Sequence, residues 1–299
     1  MFRSQSRPRM LAIIIALLAA IGVFGGNHAH AAEPAARISV TVTGKGPDVI
    51  LIPGLASSGA VWDATVAQLS GRYRVHVVQV AGFAGAPVGG NGEGAVIDPL
   101  VEALDGYIRS ARLKSPAVIG HSMGGLTGLA LARRHPADIG RLLIVDSLPF
   151  YPLLFSPAAT VEAVRPQAVG MRDGLIAMPA ESFEAQQTMT MPRLVKSPDG
   201  LKAALAWSKR TDRSVFARAM YDVLTTDLRP ELPAVTVPTV VLYPFDPMMG
   251  APVERVEQLY AGAYAALPGV RLERIEGAYH FIMLDQPAAF AAAVERFLN

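Results

Sequence analysis

Ser122 stands in the string Val118-Ile119-Gly120-His121-Ser122-Met123-Gly124-Gly125. This is G-x-S-x-G, with an apolar run before it and helical apolar spacing after it. That setting is the strand–turn–helix in which a serine hydroxyl is thrust above a sheet as a nucleophile. Glycines at 120 and 124 remove side chains that would crowd so sharp a turn, and the helix N-terminus behind it favours developing negative charge. A serine hydroxyl needs a base to attack carbon. Beyond residue 31 the chain offers four histidines: His76, His121, His135 and His280. His76 falls mid-strand, His121 packs beside the turn and His135 ends a helix before Pro136, so all three read as structural. His280 follows the last strand of the chain, in Glu276-Gly277-Ala278-Tyr279-His280-Phe281, where a loop at the carboxyl edge of a parallel sheet brings a base within reach of Ser122. The base in turn needs a carboxylate that fixes its tautomer and stabilises the imidazolium. We assign that role to Asp246, which follows the strand Thr239 to Tyr243 and gives the chain order Ser122, Asp246, His280. Asp146, after Leu143-Ile144-Val145, is the alternative acid.

The elements that must carry these residues alternate between two periodicities. Residues 38–52 read as two strands joined at Gly44-Lys45-Gly46-Pro47, the first alternating and the second a continuous apolar run typical of a buried strand. Val61 to Leu69 has helical spacing, Tyr73 to Val80 alternates as a strand, Glu93 to Leu113 is an amphipathic helix, and Ala117 to Ile119 is a short buried strand. A helix over Met123 to Arg134 and a strand over Leu142 to Val145 follow. From about Ser147 to Leu232 there are helical segments and prolines but no strand. Alternation resumes with a strand at Thr239 to Tyr243, a helix at Val253 to Leu267, a strand at Val270 to Ile275 and a helix at Phe281 to Leu298. Such alternation implies βαβ units and a mostly parallel sheet flanked by helices. The simplest organisation is one α/β domain over residues 32–299 with a helical insertion at about 147–232.

These residues resemble the α/β-hydrolase superfamily, especially its lid-bearing serine esterase-like members. The resemblance spans most of residues 38–299 and rests on Ile52-Pro53-Gly54-Leu55, the Gly120–Gly125 elbow, Asp246 and Gly277-Ala278-Tyr279-His280-Phe281. It implies an oxyanion hole from the backbone N–H groups of Leu55 and Met123, and a lid formed by the insertion. Two positions depart from the pattern: Pro53-Gly54 replaces the common His-Gly of the oxyanion loop, and Tyr243-Pro244-Phe245 lacks the glycine usual before the acid. Serine at 122, in place of aspartate, argues against dehalogenase or epoxide-hydrolase chemistry.

The expected activity is hydrolysis of carboxylic esters of small to medium acyl substrates through an acyl-enzyme. The same triad also serves acyl transfer, lactone or amide hydrolysis and carbon–carbon cleavage, because pocket and not triad decides. A non-catalytic binding module on this fold is the remaining alternative. Met171, Met178, Met189, Met191 and Met220 in the insertion suit an adaptable apolar pocket, although ordinary packing explains each equally well. Phe83 and Leu148 are pocket candidates by position, and Trp62 packs the first helix. The basic stretch from Arg193 to Arg218 reads as a solvated helix face, with attraction of anionic substrates or a membrane surface as the other possibility. No cofactor or metal is called for: there is no H-E-x-x-H, no G-x-G-x-x-G after a strand and no P-loop.

Composition narrows the field further. Of 299 residues, 51% are hydrophobic and 17% charged, which excludes a disordered chain. The absence of cysteine excludes a disulfide scaffold and thiolate chemistry. A mean hydropathy of +0.32 is high for a soluble protein, and part of the excess sits at the start. Arg3, Arg7 and Arg9 precede an apolar run from Met10 to Phe24, followed by Ala29-His30-Ala31, which is the layout of a secretory signal peptide cleaved after Ala31. The run is shorter than the roughly 20 residues a spanning helix needs, so no stable membrane anchor is expected after cleavage. Residues 1–31 hold three arginines and no acid, so their removal turns a net charge of +2 into about −1. Such a surface does not attract nucleic acid. The expected setting is the bacterial periplasm or exterior, and the expected partner is a small ester-like molecule; oligomeric state is not encoded in any of these features.

Overall fold

The structure, a computed structural model, describes Met1 and residues 36–299. The expected signal peptide and its cleavage site lie outside the described residues. Seven strands form one sheet: β1 (Ile38–Thr43), β2 (Asp48–Ile52), β3 (Arg74–Val80), β4 (Ala117–His121), β5 (Arg141–Val145), β6 (Thr239–Phe245) and β7 (Arg271–Glu276). Their order is β1-β3-β2-β4-β5-β6-β7. β1 runs antiparallel to β3, and every other pairing is parallel.

The apolar runs read from the sequence are central strands, covered on both faces. All five residues of β4 are buried. Because successive side chains of a strand point to opposite faces, each central strand feeds two cores. Ile50, Ile52, Val118, Leu142, Ile144 and Val241 enter one, with Leu100 and Leu104 from α2 (Ile97–Ser110) and Leu129 from α3 (Met123–Arg134). Val49, Leu51, Ile119, Leu143, Val145 and Leu242 enter the other, against Leu69 of α1 (Asp63–Leu69) and the C-terminal helix. Trp62 belongs to this second core and stacks on Phe290.

Among the elements whose bounds differ from those expected, three do so for identifiable reasons. The helix expected from Glu93 begins at Ile97, where the Asp222 carboxylate accepts the N–H groups of Val96 and Ile97 at 2.6 and 3.0 Å. The helix expected over 281–298 is divided into α9 (Ile282–Asp285) and α10 (Pro287–Leu298), because Pro287 has no N–H to continue the ladder. β6 runs two residues beyond Tyr243, pairing through Phe245 with Glu276.

Between β5 and β6 the chain forms α4 (Val161–Ala177), α5 (Ala180–Thr190), α6 (Pro198–Lys209) and α7 (Arg213–Thr225), with short 3-10 turns and no strand among them. After β6 comes α8 (Val253–Ala263). Among the described residues no helix is long and apolar enough to cross a membrane.

The parallel register decides where the chemistry falls. Ile52 lies opposite Gly120, His121 opposite Val145 and Val145 opposite Leu242. The carboxyl ends of β2, β4 and β5 therefore lie side by side, and the residues that follow them, Pro53, Ser122 and Asp146, leave the sheet along one edge. In open α/β sheets this edge is where ligands bind.

Candidate active site

Ser122 connects β4 directly to α3. Its N–H donates to the Val145 carbonyl at 2.9 Å, and its own carbonyl accepts from Gly125 N at 2.8 Å and Leu126 N at 3.0 Å. Between these two bonding patterns the backbone takes φ 54°, ψ −121°, a region that costs a non-glycine residue about 1–3 kcal/mol. The neighbours leave no alternative. A Cβ at Gly120 would stand 2.2 Å from the Gly124 carbonyl oxygen, and a Cβ at Gly124 would stand 2.4 Å from that of Ile52. Gly120→Ala is therefore expected to destabilise the fold by about 2–3 kcal/mol through overpacking, read as a lowered urea midpoint with unchanged slope, and to displace Ser122.

His280 lies on the loop after β7, whose path is set by Gly277 N donating to the Phe245 carbonyl at 2.7 Å. Its Nδ1 is 2.6 Å from Oδ2 of Asp146. A carboxylate only accepts, so Nδ1 carries the hydrogen and Nε2 is left able to take a proton. Asp146 sits at φ 45°, immediately after β5, with its N–H held by the Leu242 carbonyl at 2.8 Å. Its other oxygen, Oδ1, accepts from the Tyr260 hydroxyl. Tyr260 is buried; desolvation first, and then the neighbouring Asp146, push its pKa well above the usual phenol value, so it stays a donor.

The acid assigned from sequence is corrected by this geometry. Asp246 does not meet His280. It is 3% exposed, and its Oδ2 accepts from the Lys196 ammonium at 2.6 Å while Oδ1 accepts from Met248 N at 2.8 Å. Because β6 extends through Phe245, Asp246 leaves the sheet further along than a strand ending at Tyr243 would place it, and it ties the insertion to the core. The Lys196 hydrogen bond foremost, and then the Met248 N–H, hold its pKa below 3.8. A carboxyl whose folded pKa is depressed stabilises the fold above its unfolded pKa and ceases to do so as pH falls through the folded value. Lys196→Met is accordingly expected to lower the melting temperature near neutral pH. The gap from the wild type should close as pH drops below about 3.8.

His121 is fully buried beside Ser122, and its Nε2 donates to the His280 carbonyl at 3.0 Å. Desolvation first, and then the nearby His280, push its pKa well below the usual imidazole value, so it remains neutral. It thus fixes the backbone of His280, a more specific part than the packing read from sequence. The same ring explains Gly54, where a Cβ would stand 2.9 Å from His121 Nδ1. His76, placed mid-strand, contacts Asp48 and Tyr107. His135 lies between Glu102 and Asp105 on α2, far from this edge in its bonding.

Ser122, His280 and Asp146 border one cavity of about 870 Å³, together with Leu55 and Met123. Met123 opens α3, where the first N–H groups lack intrahelical acceptors. Among the described residues neither the Leu55 nor the Met123 N–H meets an acceptor within the chain. Met171, Met191, Met220 and Leu148 line the cavity, as expected. Met189 is instead exposed, Met178 packs beside a small cluster around Phe183, and Phe83 is buried in the first core. Tyr260 was missed at the sequence level, because its spacing with Val256 and Ala263 reads as an ordinary core stripe of α8.

Fold and site together define a hydrolase-type α/β architecture, and the sequence relationships agree. The family model described as "Alpha/beta hydrolase family" matches residues 49–293, and the chain belongs to that family. A pimeloyl-[acyl-carrier protein] methyl ester esterase of Aeromonas hydrophila is 27% identical over 271 residues, covering 88% of this chain and 99% of that protein. A protein of the same name from Nitrosomonas europaea is 27% identical over 222 residues, covering 70% of this chain and 80% of its own length. Among solved structures, a hydrolase from Pseudomonas aeruginosa superposes with a TM-score of 0.72 at 20% identity, over 88% of this chain and 94% of that one. The enol-lactonase of Burkholderia xenovorans superposes with a TM-score of 0.70 at 24% identity, over 89% and 99%.

Proposed function

We propose that this chain is an exported serine hydrolase of carboxylic ester bonds. The observation that carries the reading is the chain of contacts from Tyr260 through Asp146 to His280, on the rim of the cavity that also receives Ser122. In the first step the Ser122 Oγ–carbon bond forms as His280 Nε2 takes the hydroxyl proton. The oxyanion is held by the N–H groups of Leu55 and Met123, a type of stabilisation worth about 3–4 kcal/mol per donor. His280 then returns the proton to the departing alcohol as the ester C–O bond breaks. Water, deprotonated by the same Nε2, attacks the acyl-enzyme and releases the carboxylic acid and free Ser122. Asp146 keeps His280 in the required tautomer and stabilises its charged form; Tyr260 and the Leu242 carbonyl hold Asp146.

Esters are preferred over other acyl compounds as substrates because the curated relatives at 27% identity described above are named as methyl ester esterases. Export is supported by the basic, apolar and A-x-A succession of residues 1–31. The insertion between β5 and β6 supplies Met171, Leu175, Met191 and Met220 to the cavity, which supports its reading as a lid. A panel of activated esters of increasing acyl length tests the reaction and sizes the pocket together. Hydrolysis of short and medium chains, lost in Ser122→Ala, is expected; no turnover of any ester despite a folded chain would refute it.

A further inference from the structure

The cavity is not apolar throughout. Besides Ser122, His280, Asp146 and their neighbours, its polar lining includes Gln186, Gln187, Thr190 and Arg193 at the end of α5 and just after it, and Arg255 and Gln258 on α8. Arg193 and Arg255 are also exposed, which puts them where the cavity meets solvent. Among the described residues neither guanidinium has a carboxylate or other acceptor in the chain. Glu257, close to Arg255 on α8, is taken by Arg274.

The cavity holds no carboxylate free to pair with these guanidinium groups. Its one acidic lining residue is Asp146, whose two oxygens are engaged by His280 and Tyr260. Gln187 is 6% exposed, and it lines the same cavity. An amide in a cavity wall can both donate to and accept from a bound ligand. Two unpaired guanidinium groups at the mouth of a largely apolar cleft focus a positive field into it. The planar guanidinium fork matches a carboxylate or phosphate in a bidentate manner.

We infer that the substrate is an ester carrying an anionic group at the end remote from the ester bond. Arg193 and Arg255 receive that group, the Gln187 amide completes its hydrogen bonding, and the apolar lining takes the intervening chain. The carboxylate form is the half-ester of a dicarboxylic acid, which with water gives the dicarboxylate and an alcohol. This rests on the ester-hydrolase reading of the same site. It also gives Arg193, which the sequence placed in a solvated basic stretch, a specificity role.

The test compares kcat/KM for the monoethyl half-esters of six- to ten-carbon dicarboxylic acids with that for the neutral diethyl esters of the same acids. Ethyl esters ending in a phosphonate form a third arm. The wild type is expected to prefer the half-ester at least tenfold, mainly through KM, and to lose the preference as sodium chloride is raised. In the Arg193→Gln/Arg255→Gln double variant the ratio of half-ester to diester should fall at least tenfold. The phosphonate arm distinguishes the two anions: equal preference means a site for anions in general, and a lower one means a carboxylate site. A wild type that turns over diesters as well as half-esters, or a preference that survives both substitutions, would overturn the inference. A second readout does not depend on turnover: free eight-carbon dicarboxylate should slow labelling of Ser122 by a fluorophosphonate in the wild type and not in the double variant. Protection without hydrolysis of any ester would sink the esterase reading and leave the anion site standing; hydrolysis without protection or preference would do the reverse.

Discussion

Asp146→Asn is expected to lower kcat for ester hydrolysis by about 10⁴-fold, the cost of losing the histidine's orienting carboxylate in a serine triad. Asp246→Asn is expected to lower it no more than about tenfold. An asparagine at 146 can present its amide N–H to His280 Nδ1, which stabilises the tautomer protonated on Nε2. That form cannot accept the Ser122 proton, and the imidazolium loses the charge that Asp146 supplies at 2.6 Å. Asp246 faces Lys196 and Met248 N instead, so its neutralisation strikes the anchoring of the insertion. Its expected signature is a lower melting temperature and a modest change in KM. Steady-state kinetics of the two folded variants on one activated ester separates the cases.

Ser122→Ala carries the largest expected loss, on the order of 10⁶-fold in kcat. The chemistry then has no nucleophile, although His280, Asp146 and the oxyanion donors remain. Because a serine at φ 54° carries backbone strain that alanine shares, the substitution should leave stability nearly unchanged. Measurement of residual turnover together with the thermal midpoint checks both parts.

The sheet was legible because its central strands are buried on both faces and so read as continuous apolar runs. The sharp turn at Ser122 is legible because a turn that brings Gly120 against Gly124 tolerates few sequences. His280 was found as the histidine that follows the last strand, and the parallel register then delivered it to the right edge. Which carboxylate meets His280 is not legible. Asp146 and Asp246 each follow a parallel strand, and nothing local separates them. What separates them is the extra length of β6, the Lys196 ammonium 50 positions earlier in the chain, and Tyr260 on α8. The start of α2 was hidden in the same way, since the capping Asp222 lies 126 positions from Val96. Contacts of this separation are products of the fold and leave no periodicity behind.

The role of the Ser122–His280–Asp146 set is tested most directly by the site and rate of fluorophosphonate labelling. Peptide mapping of the labelled protein is expected to place the adduct on Ser122, with the labelling rate reduced more than about 100-fold in Asp146→Asn and nearly unchanged in Asp246→Asn. An adduct on any other residue, or labelling slowed more by Asp246→Asn than by Asp146→Asn, would contradict it.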